Sequence, residues 1–251
     1  MPGPAANPRL RLHVVHETAS LLVVNKMPGM PSEPGKGHAK DSVLNAVAVR
    51  HGSRMARLGE VRDWGLVHRL DRLSSGLLTL GLEPEAYDRL RGAFERREVR
   101  KTYLAIVKGS LPGLAGTVET PLAERLERGY LVSAVDRNGR SAITEWREVA
   151  RAGKYALVEC GLPTGRLHQI RVHLASIGAP LAGDPLYVEG GLARPATGRD
   201  RDDEPRFHLH AWKLLLPAGA VEPGGGATPL VGEIPRRFRE FAADRGLPLP
   251  E

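Results

Sequence analysis

The fold of this chain is constrained most by a series of short apolar segments that do not alternate strictly with helical ones. Strands are predicted at residues 12–15, 21–24, 76–82, 100–109, 130–135, 142–149, 155–161 and 207–216. Helices are predicted at residues 41–50, with Asp41 as the N-cap of this first helix, and at residues 85–98, 166–177 and 235–243. This pattern predicts an α+β fold, with a largely antiparallel or mixed β-sheet core and flanking helices. We expect a disordered N-terminus at residues 1–8 and a single catalytic domain at residues 9–251.

The charge balance indicates the class of partner. The 251 residues include 36 Lys and Arg against 29 Asp and Glu, which gives a formal charge of +7. Such an excess favours a polyanion, most simply nucleic acid, although a generally basic soluble protein would have the same balance. No apolar run approaches the roughly 20 residues of a membrane helix, and residues 1–8 do not resemble a secretory signal. Cys160 is the single cysteine, so we expect no intramolecular disulfide, a cytoplasmic location and a core role for this thiol.

The first candidate for chemistry is Asp71, which lies between Arg69 and Arg72 and directly precedes a small-residue turn. The apolar run 77–82 follows this turn. Neighbouring cations favour the ionised form of a carboxylate, as a nucleophile or a base requires. An ordinary salt-bridged surface aspartate has the same surroundings, and for this stretch alone that alternative is favoured.

Two further segments add candidate side chains. Strand alternation places Tyr103 on the same face as Ala105 and Val107, where it is either a core residue or a ring that stacks on a nucleobase or moves a proton. On the predicted helix 166–177, Arg171 lies one turn from His168 and away from the apolar face. An inward-pointing arginine needs an acidic partner, for which Asp71 is the natural candidate, whereas an outward one would belong to a basic face that touches phosphates.

Metal and nucleotide motifs are not evident. His168 and His173 are five residues apart and do not converge on one ion, and the pair His208 and His210 has no accompanying Cys or acidic cluster. The sequence also has no Gly-rich phosphate loop, no Gly-x-Ser-x-Gly elbow and no dinucleotide fingerprint. We therefore expect a reaction that uses no cofactor and no metal.

Several segments together resemble the RluA family of pseudouridine synthases in their order and spacing. They span most of the chain and comprise Leu22–Gly29, His68–Asp71, Ser75–Leu78, Lys101–Ala105, Gly165–Leu174, Gly183–Tyr187 and Leu209–Trp212. The resemblance implies the pseudouridine synthase catalytic fold and the conversion of uridine to pseudouridine in RNA. Ser74 and Leu167 depart from the residues that are common at these positions of the family.

The resemblance also implies roles for individual residues. Asp71 would be the catalytic nucleophile, Tyr103 would stack on the target base and accept a proton, and Arg171 would pair with Asp71. Arg69 would help to occupy the space that the flipped base leaves. The remaining candidates for substrate binding are His68, Arg166, His168 and Gln169.

The substrate and the RNA-binding surface are less constrained by the sequence. We expect a monomer that acts on ribosomal or transfer RNA and lacks the small N-terminal RNA-binding domain of many relatives. RNA affinity would then come from the catalytic domain, with the Arg-rich segments 89–101 and 194–201 as candidates for phosphate contacts. A solvated surface is the alternative for both segments and is favoured for 194–201. An RNA-binding protein without activity, or a metal-dependent RNA hydrolase, would be the competing functions; the first should lack Asp71 or Tyr103, and the second should show clustered acids and histidines.

Overall fold

A computed structural model of the chain describes residues 3–127, 130–190 and 207–250. The elements in chain order are β1 Val14–Glu17, β2 Leu21–Lys26, α1 Val43–Leu58, a 3₁₀ helix Glu60–Gly65, β3 Ser75–Gly81, α2 Pro84–Glu95, β4 Arg100–Lys108, β5 Ala115–Val118, β6 Leu122–Glu127, β7 Tyr130–Val135, β8 Thr144–Ala152, β9 Tyr155–Gly161, α3 Gln169–Ser176, β10 Leu209–Leu216, β11 Thr228–Val231 and α4 Arg236–Ala243. The predicted α+β class with a mainly antiparallel sheet is confirmed.

The chain divides into two compact units. Unit 1 consists of residues 1–100 and 211–233, and unit 2 of residues 101–210 and 234–251. Each unit therefore combines two separate stretches of sequence. That the chain is one catalytic domain remains a prediction.

Unit 1 is built on strands β1, β2 and β3, the 211–216 part of β10, and β11, in that order across the sheet. β2 and β3 are antiparallel, with Leu21 opposite Gly81 and Lys26 opposite Gly76. All residues of these two strands are buried, which explains why their sequences are almost continuously apolar. Their side chains pack with those of α2 in one hydrophobic core, which includes Leu21, Val23, Leu77, Tyr87, Leu90 and Leu214.

Helix α1 begins one residue later than the sequence indicates and continues further. Its N-cap is Ser42 rather than Asp41, since the Ser42 hydroxyl accepts the Asn45 N–H and the Asn45 side chain accepts the Ser42 N–H. The helix passes through a kink at His51 and runs to Leu58, beyond the predicted end at residue 50. Near the predicted disordered terminus, the Asn45 amide donates to the Ala5 carbonyl oxygen at 2.8 Å, a contact that the sequence does not indicate.

Unit 2 contains the sheet β4-β9-β8-β5 and a separate hairpin of β6 and β7. β4 and β9 are antiparallel, with Tyr103 opposite Cys160. Helix α3 packs against the hairpin through a small core of Leu122, Ala142, Val172, Ala175 and Tyr187. In the part of the chain that the structure describes, no helix is long and apolar enough to cross a membrane.

Candidate active site

The backbone on the N-terminal side of Asp71 is fixed by Ser32. The Ser32 hydroxyl accepts the N–H of Leu70 and donates to its carbonyl oxygen, both at 3.0 Å. The Asp71 carbonyl accepts the N–H of Ser74 at 3.1 Å, which closes the turn that the sequence predicts. Asp71 therefore lies on a short turn whose preceding residue has both of its backbone groups bonded to one side chain.

The backbone on the C-terminal side is fixed by the same loop. The carbonyl oxygen of Arg72 accepts the N–H of Gly29 at 2.8 Å and the Lys26 ammonium at 3.1 Å. The ammonium also donates to the carbonyls of Met27 at 3.1 Å and Met30 at 2.7 Å. The loop 27–32 thus holds the chain on both sides of Asp71, which limits the positions that its carboxylate can take.

Lys26 is a buried residue of unit 1, close to this turn, to which the sequence reasoning gave no role. It is only 2% exposed, and burial lowers the pKa of its ammonium from 10.5 to about 7, an effect that the Asp71 charge opposes and the Arg72 charge reinforces. A lysine is almost never buried to this degree without partners. Its position at the end of a strand in which every residue is buried was the available signal. The charge of Asp71 accordingly interacts with that of a buried cation.

The chain after the turn needs glycine at position 76. Gly76 has φ 115°, and a Cβ there would lie 2.3 Å from the carbonyl oxygen of Ala211. Both facts exclude other residues without a shift of the backbone. Strand β3 can therefore approach β10 closely, directly after the Asp71 turn.

The two predicted substrate-binding residues that precede Asp71 differ in their surroundings. His68 accepts the N–H of Thr79 at its Nε2, at 3.1 Å, and its ring stacks on Phe94 with centroids 4.6 Å apart. The Arg69 side chain is 70% exposed and pairs with Glu33. His68 is therefore fixed by the strand and the helix beside it, whereas Arg69 is at the surface.

In unit 2, Tyr103 is buried on β4, as are Ala105 and Val107 on the same strand. Arg171 on α3 is also buried, which agrees with the inward-pointing alternative and not with a solvated basic face. The structure shows an acidic partner for Arg171 that the sequence reasoning missed, Asp184. Nε and Nη2 of Arg171 donate to the two Asp184 oxygens at 2.8 Å and 2.9 Å. The pairing of Arg171 with Asp71 stays a prediction.

The Arg171 guanidinium also contacts two aromatic rings. Its Cζ is 4.9 Å from the ring centroid of Tyr187 and 4.5 Å from that of Phe207. The Tyr187 hydroxyl is bonded to His168 Nδ1 at 2.8 Å and accepts the N–H of Ser133 at 2.9 Å. Arg171 and His168 therefore belong to one connected cluster.

Gln169 and Arg166 hold the segment that precedes α3. Gln169 Oε1 accepts from Thr164 Oγ at 2.8 Å and from the Arg166 N–H at 3.0 Å, while its Nε2 donates to the Ile143 carbonyl and to Thr144 Oγ. Arg166 Nε donates to the Ser141 carbonyl at 3.0 Å. The contacts of Gln169 are structural, so it orders this segment, and its role in substrate binding stays a prediction.

The remaining candidates are less informative. In residues 3–127, 130–190 and 207–250, no group of three or more His, Cys, Asp or Glu side chains could hold a metal ion. Within segment 89–101, Arg91 and Arg96 pair with Glu95 and Glu98, as on an ordinary solvated surface. Segment 194–201 lies outside the described residues.

Comparison with known proteins shows which family the chain is similar to. Residues 20–176 match the family model of RNA pseudouridylate synthases. The chain is 38% identical over 229 residues to the ribosomal large subunit pseudouridine synthase D of Zymomonas mobilis, covering 90% of this chain and 70% of that protein. It is 38% identical to the protein of the same name from Nitrosomonas europaea, covering 82% of this chain and 58% of the relative. An uncharacterized RNA pseudouridine synthase of Synechocystis is 36% identical, covering 92% and 68% of the two chains.

Solved structures show the same architecture. Human RNA Pseudouridylate Synthase Domain Containing 4 superposes with a TM-score of 0.71 at 26% identity, covering 95% of each chain. Human RNA Pseudouridylate Synthase Domain Containing 1 superposes with a TM-score of 0.59 at 20% identity, covering 98% of this chain and all of the other, and supports the fold.

Proposed function

Since this chain belongs to the RluA-type family of RNA pseudouridine synthases, we propose that it isomerises uridine in ribosomal RNA, with Asp71 as the catalytic carboxylate. The observation that supports Asp71 most directly is the held turn, in which Ser32 and Lys26 fix the backbone on its two sides. A catalytic group gains most from such fixation, because a misplacement of about 1 Å can lower a rate about a hundredfold.

The proposed reaction balances within the substrate. The bond from C1′ of the ribose to N1 of uracil breaks, a bond from C1′ to C5 forms, the hydrogen on C5 leaves as a proton, and N1 gains a proton. No oxidant, reductant or energy source is required. Asp71 either attacks the ribose, attacks the base or promotes elimination, and each route needs it as the anion.

The other two catalytic residues would assist this step. Tyr103 would stack on the extruded uracil and accept the proton from C5, while Arg171 would pair with the Asp71 carboxylate. Extrusion of the base from structured RNA costs a few kcal/mol. Stacking of the base on an aromatic ring contributes about 1–3 kcal/mol and would offset part of this cost. Arg69 would then help to occupy the space that the base leaves.

The remaining predicted residues would bind RNA. His68, Arg166, His168 and Gln169 would contact the substrate or order the segments that do so, and the net charge of +7 would favour phosphate contacts throughout. We further propose that the protein works as a cytoplasmic monomer without a metal ion or organic cofactor. Activity that survives dialysis against EDTA, and that elutes with the monomer in gel filtration, is the expected result.

The central test is tritium release from RNA labelled at C5 of uridine. The wild-type protein should release tritium, and Asp71→Asn should lower the rate by about three orders of magnitude or more while RNA binding is retained. Asp88→Asn is a matched control, since Asp88 is an exposed carboxylate of unit 1 paired with Arg62. Full release by Asp71→Asn would rule out its catalytic role.

A second experiment concerns the substrate. The names of two of the relatives above refer to the large ribosomal subunit, so large-subunit ribosomal RNA is the proposed substrate, with transfer RNA as the alternative. Mapping the pseudouridines that disappear from total RNA on deletion of the gene should show losses in large-subunit ribosomal RNA. Losses confined to transfer RNA would overturn this choice while leaving the enzyme class intact.

A further inference from the structure

We propose that Asp184 and Tyr187 are positioning residues that hold the guanidinium of Arg171 in one orientation, and that the Tyr187 hydroxyl links this orientation to strand β7. The inference rests on the proposed function in that Arg171 is taken to act in the isomerisation. The contacts that carry it lie entirely within unit 2.

Asp184 fixes the rotation of the guanidinium. The Nε–Oδ2 distance is 2.8 Å and the Nη2–Oδ1 distance is 2.9 Å, a two-point contact between side chains that are 4% and 0% exposed. Oδ1 of Asp184 also accepts the backbone N–H groups of Leu186 at 2.9 Å and Tyr187 at 3.1 Å. Because the backbone holds this carboxylate, the carboxylate in turn fixes the orientation of the guanidinium. The Nη1 group therefore points away from Asp184 in a defined direction.

The two rings fix the plane of the guanidinium. The ring centroids of Tyr187 and Phe207 lie 4.9 Å and 4.5 Å from Cζ of Arg171, so the planar group packs over both rings. Asp184 restricts rotation within the plane, and the rings restrict tilting out of it. The cluster therefore restrains each rotation by which Arg171 could leave its orientation.

The Tyr187 hydroxyl connects this cluster to two other segments. Its oxygen accepts the N–H of Ser133 on β7, and its proton can be donated to Nδ1 of His168. His168 adopts a left-handed backbone conformation with φ 53° at the start of α3, which orients its ring toward Tyr187. A displacement of β7 would thus move the ring that covers Arg171.

A purely stabilising role explains these contacts less well. Desolvation of two buried charges offsets most of their attraction, so a buried ion pair is weak evidence for stability. What the pair does supply is direction, since an arginine held at two points by an anchored carboxylate presents its remaining edge in one way. Orientation of Arg171 is therefore the property that the cluster determines.

The first test measures orientation directly. In protein labelled with ¹⁵N arginine, hindered rotation about the Nε–Cζ bond should give Arg171 separate Nη1 and Nη2 signals. Asp184→Asn keeps the volume and the acceptor for the backbone N–H groups but removes the charge, and it should merge these signals. Asp136→Asn, which removes the charge of an exposed ion pair with Arg125 in the same unit, should not. Separate signals that persist in folded Asp184→Asn would overturn the proposal, and this result does not depend on activity.

The second test measures turnover. Under single-turnover conditions we expect Asp184→Asn to slow tritium release at least about tenfold, with the Kd for RNA changed less than about threefold. Tyr187→Phe keeps the ring and removes both hydroxyl contacts, so it should slow release by a smaller factor and serves if Asp184→Asn does not fold. Arg171→Lys should slow the wild type more than it slows Asp184→Asn, because the lysine cannot use the same two-point contact. If Arg171→Lys slowed tritium release by the same factor in the wild type and in Asp184→Asn, the positioning role would be contradicted. A wild-type protein that is inactive on every RNA would contradict the proposed function instead.

Discussion

Replacement of Lys26 by methionine would test the unusual environment beside Asp71. Methionine has a similar length and no charge, and at this 2% exposed position it would leave the packing of β2 nearly unchanged. What it removes is an ammonium that donates to the carbonyls of Met27, Met30 and Arg72. The expected effect on the free energy of unfolding is the difference between two opposing contributions.

The first contribution destabilises the variant. The Met27 and Met30 carbonyls lose this donor, while the Arg72 carbonyl keeps the Gly29 N–H, and each hydrogen bond to a charged group contributes about 1.5–3 kcal/mol. The second contribution stabilises it. A pKa lowered from 10.5 to about 7 corresponds, at about 1.4 kcal/mol per unit, to a cost of about 4–5 kcal/mol for burying the charged ammonium at neutral pH. The methionine variant does not bear this cost. We therefore expect Lys26→Met to unfold within about 2 kcal/mol of the wild type at pH 7.

The pH dependence gives the sharper result. Because the pKa of Lys26 is lower in the folded protein, the unfolded chain binds more protons between pH 7 and pH 10.5, so this residue makes the wild type more stable as the pH rises through that range. The free-energy cost of burying the charged Lys26 ammonium is fully present below pH 7 and absent above pH 10.5. The stability of the wild type relative to Lys26→Met should consequently increase by about 3–4 kcal/mol from pH 7 to pH 10.

Urea unfolding at pH 7, 8.5 and 10 measures this difference. Lys36→Met is the control, since Lys36 is an exposed lysine of the same unit, and it should differ from the wild type by a constant amount. A constant difference for Lys26→Met as well would refute the reasoning, because it would mean that Lys26 titrates as it does in the unfolded chain.

Three other experiments have defined outcomes. Gly76→Ala should lower the free energy of unfolding in urea by about 3 kcal/mol or more, because Gly76 has φ 115° and a Cβ there would clash with the Ala211 carbonyl. Gly224→Ala is the control, since a Cβ there meets no atom within 4 Å, and it should lower the free energy of unfolding much less. Equal losses of stability in the two variants would contradict the steric argument. Burial raises the pKa of the Cys160 thiol, so Ellman's reagent at pH 8 should label it in urea and not in the native protein; rapid native labelling would disagree with its position on β9. Tyr103→Phe should bind RNA but release tritium slowly if the phenol accepts the proton, and near-normal turnover would leave stacking as its role.

The sequence predicts the core strands well and the peripheral ones poorly. β2, β3, β4 and β9 are buried, so their apolar runs identify them without reference to the rest of the chain. β5, β6 and β11 are short and largely exposed, and β5 becomes a strand only because it pairs with β8, which is remote in the sequence. Such strands depend on partners that local composition does not reveal.

The candidate site divides in the same way. Asp71, Tyr103 and Arg171 could be proposed from the sequence because each lies in a motif of its own. Asp184 and Lys26 could not be assigned a role, since an aspartate in a turn and a lysine after a strand are ordinary surface residues until their burial is known. The effects of both depend on partners that only the tertiary structure provides.

The division of each unit into two stretches of sequence has a consequence for synthesis on the ribosome. Strand β3 is translated long before residues 211–216 of β10, its neighbour in the sheet of unit 1. At about 5–20 residues per second, this apolar strand waits on the order of ten seconds for that neighbour. During this interval the nascent chain exposes an unpaired strand edge, and it is then that chaperones would be needed most. For the same reason, a fragment ending at residue 100 would lack part of its own sheet, so unit 1 is not expected to fold from a simple truncation.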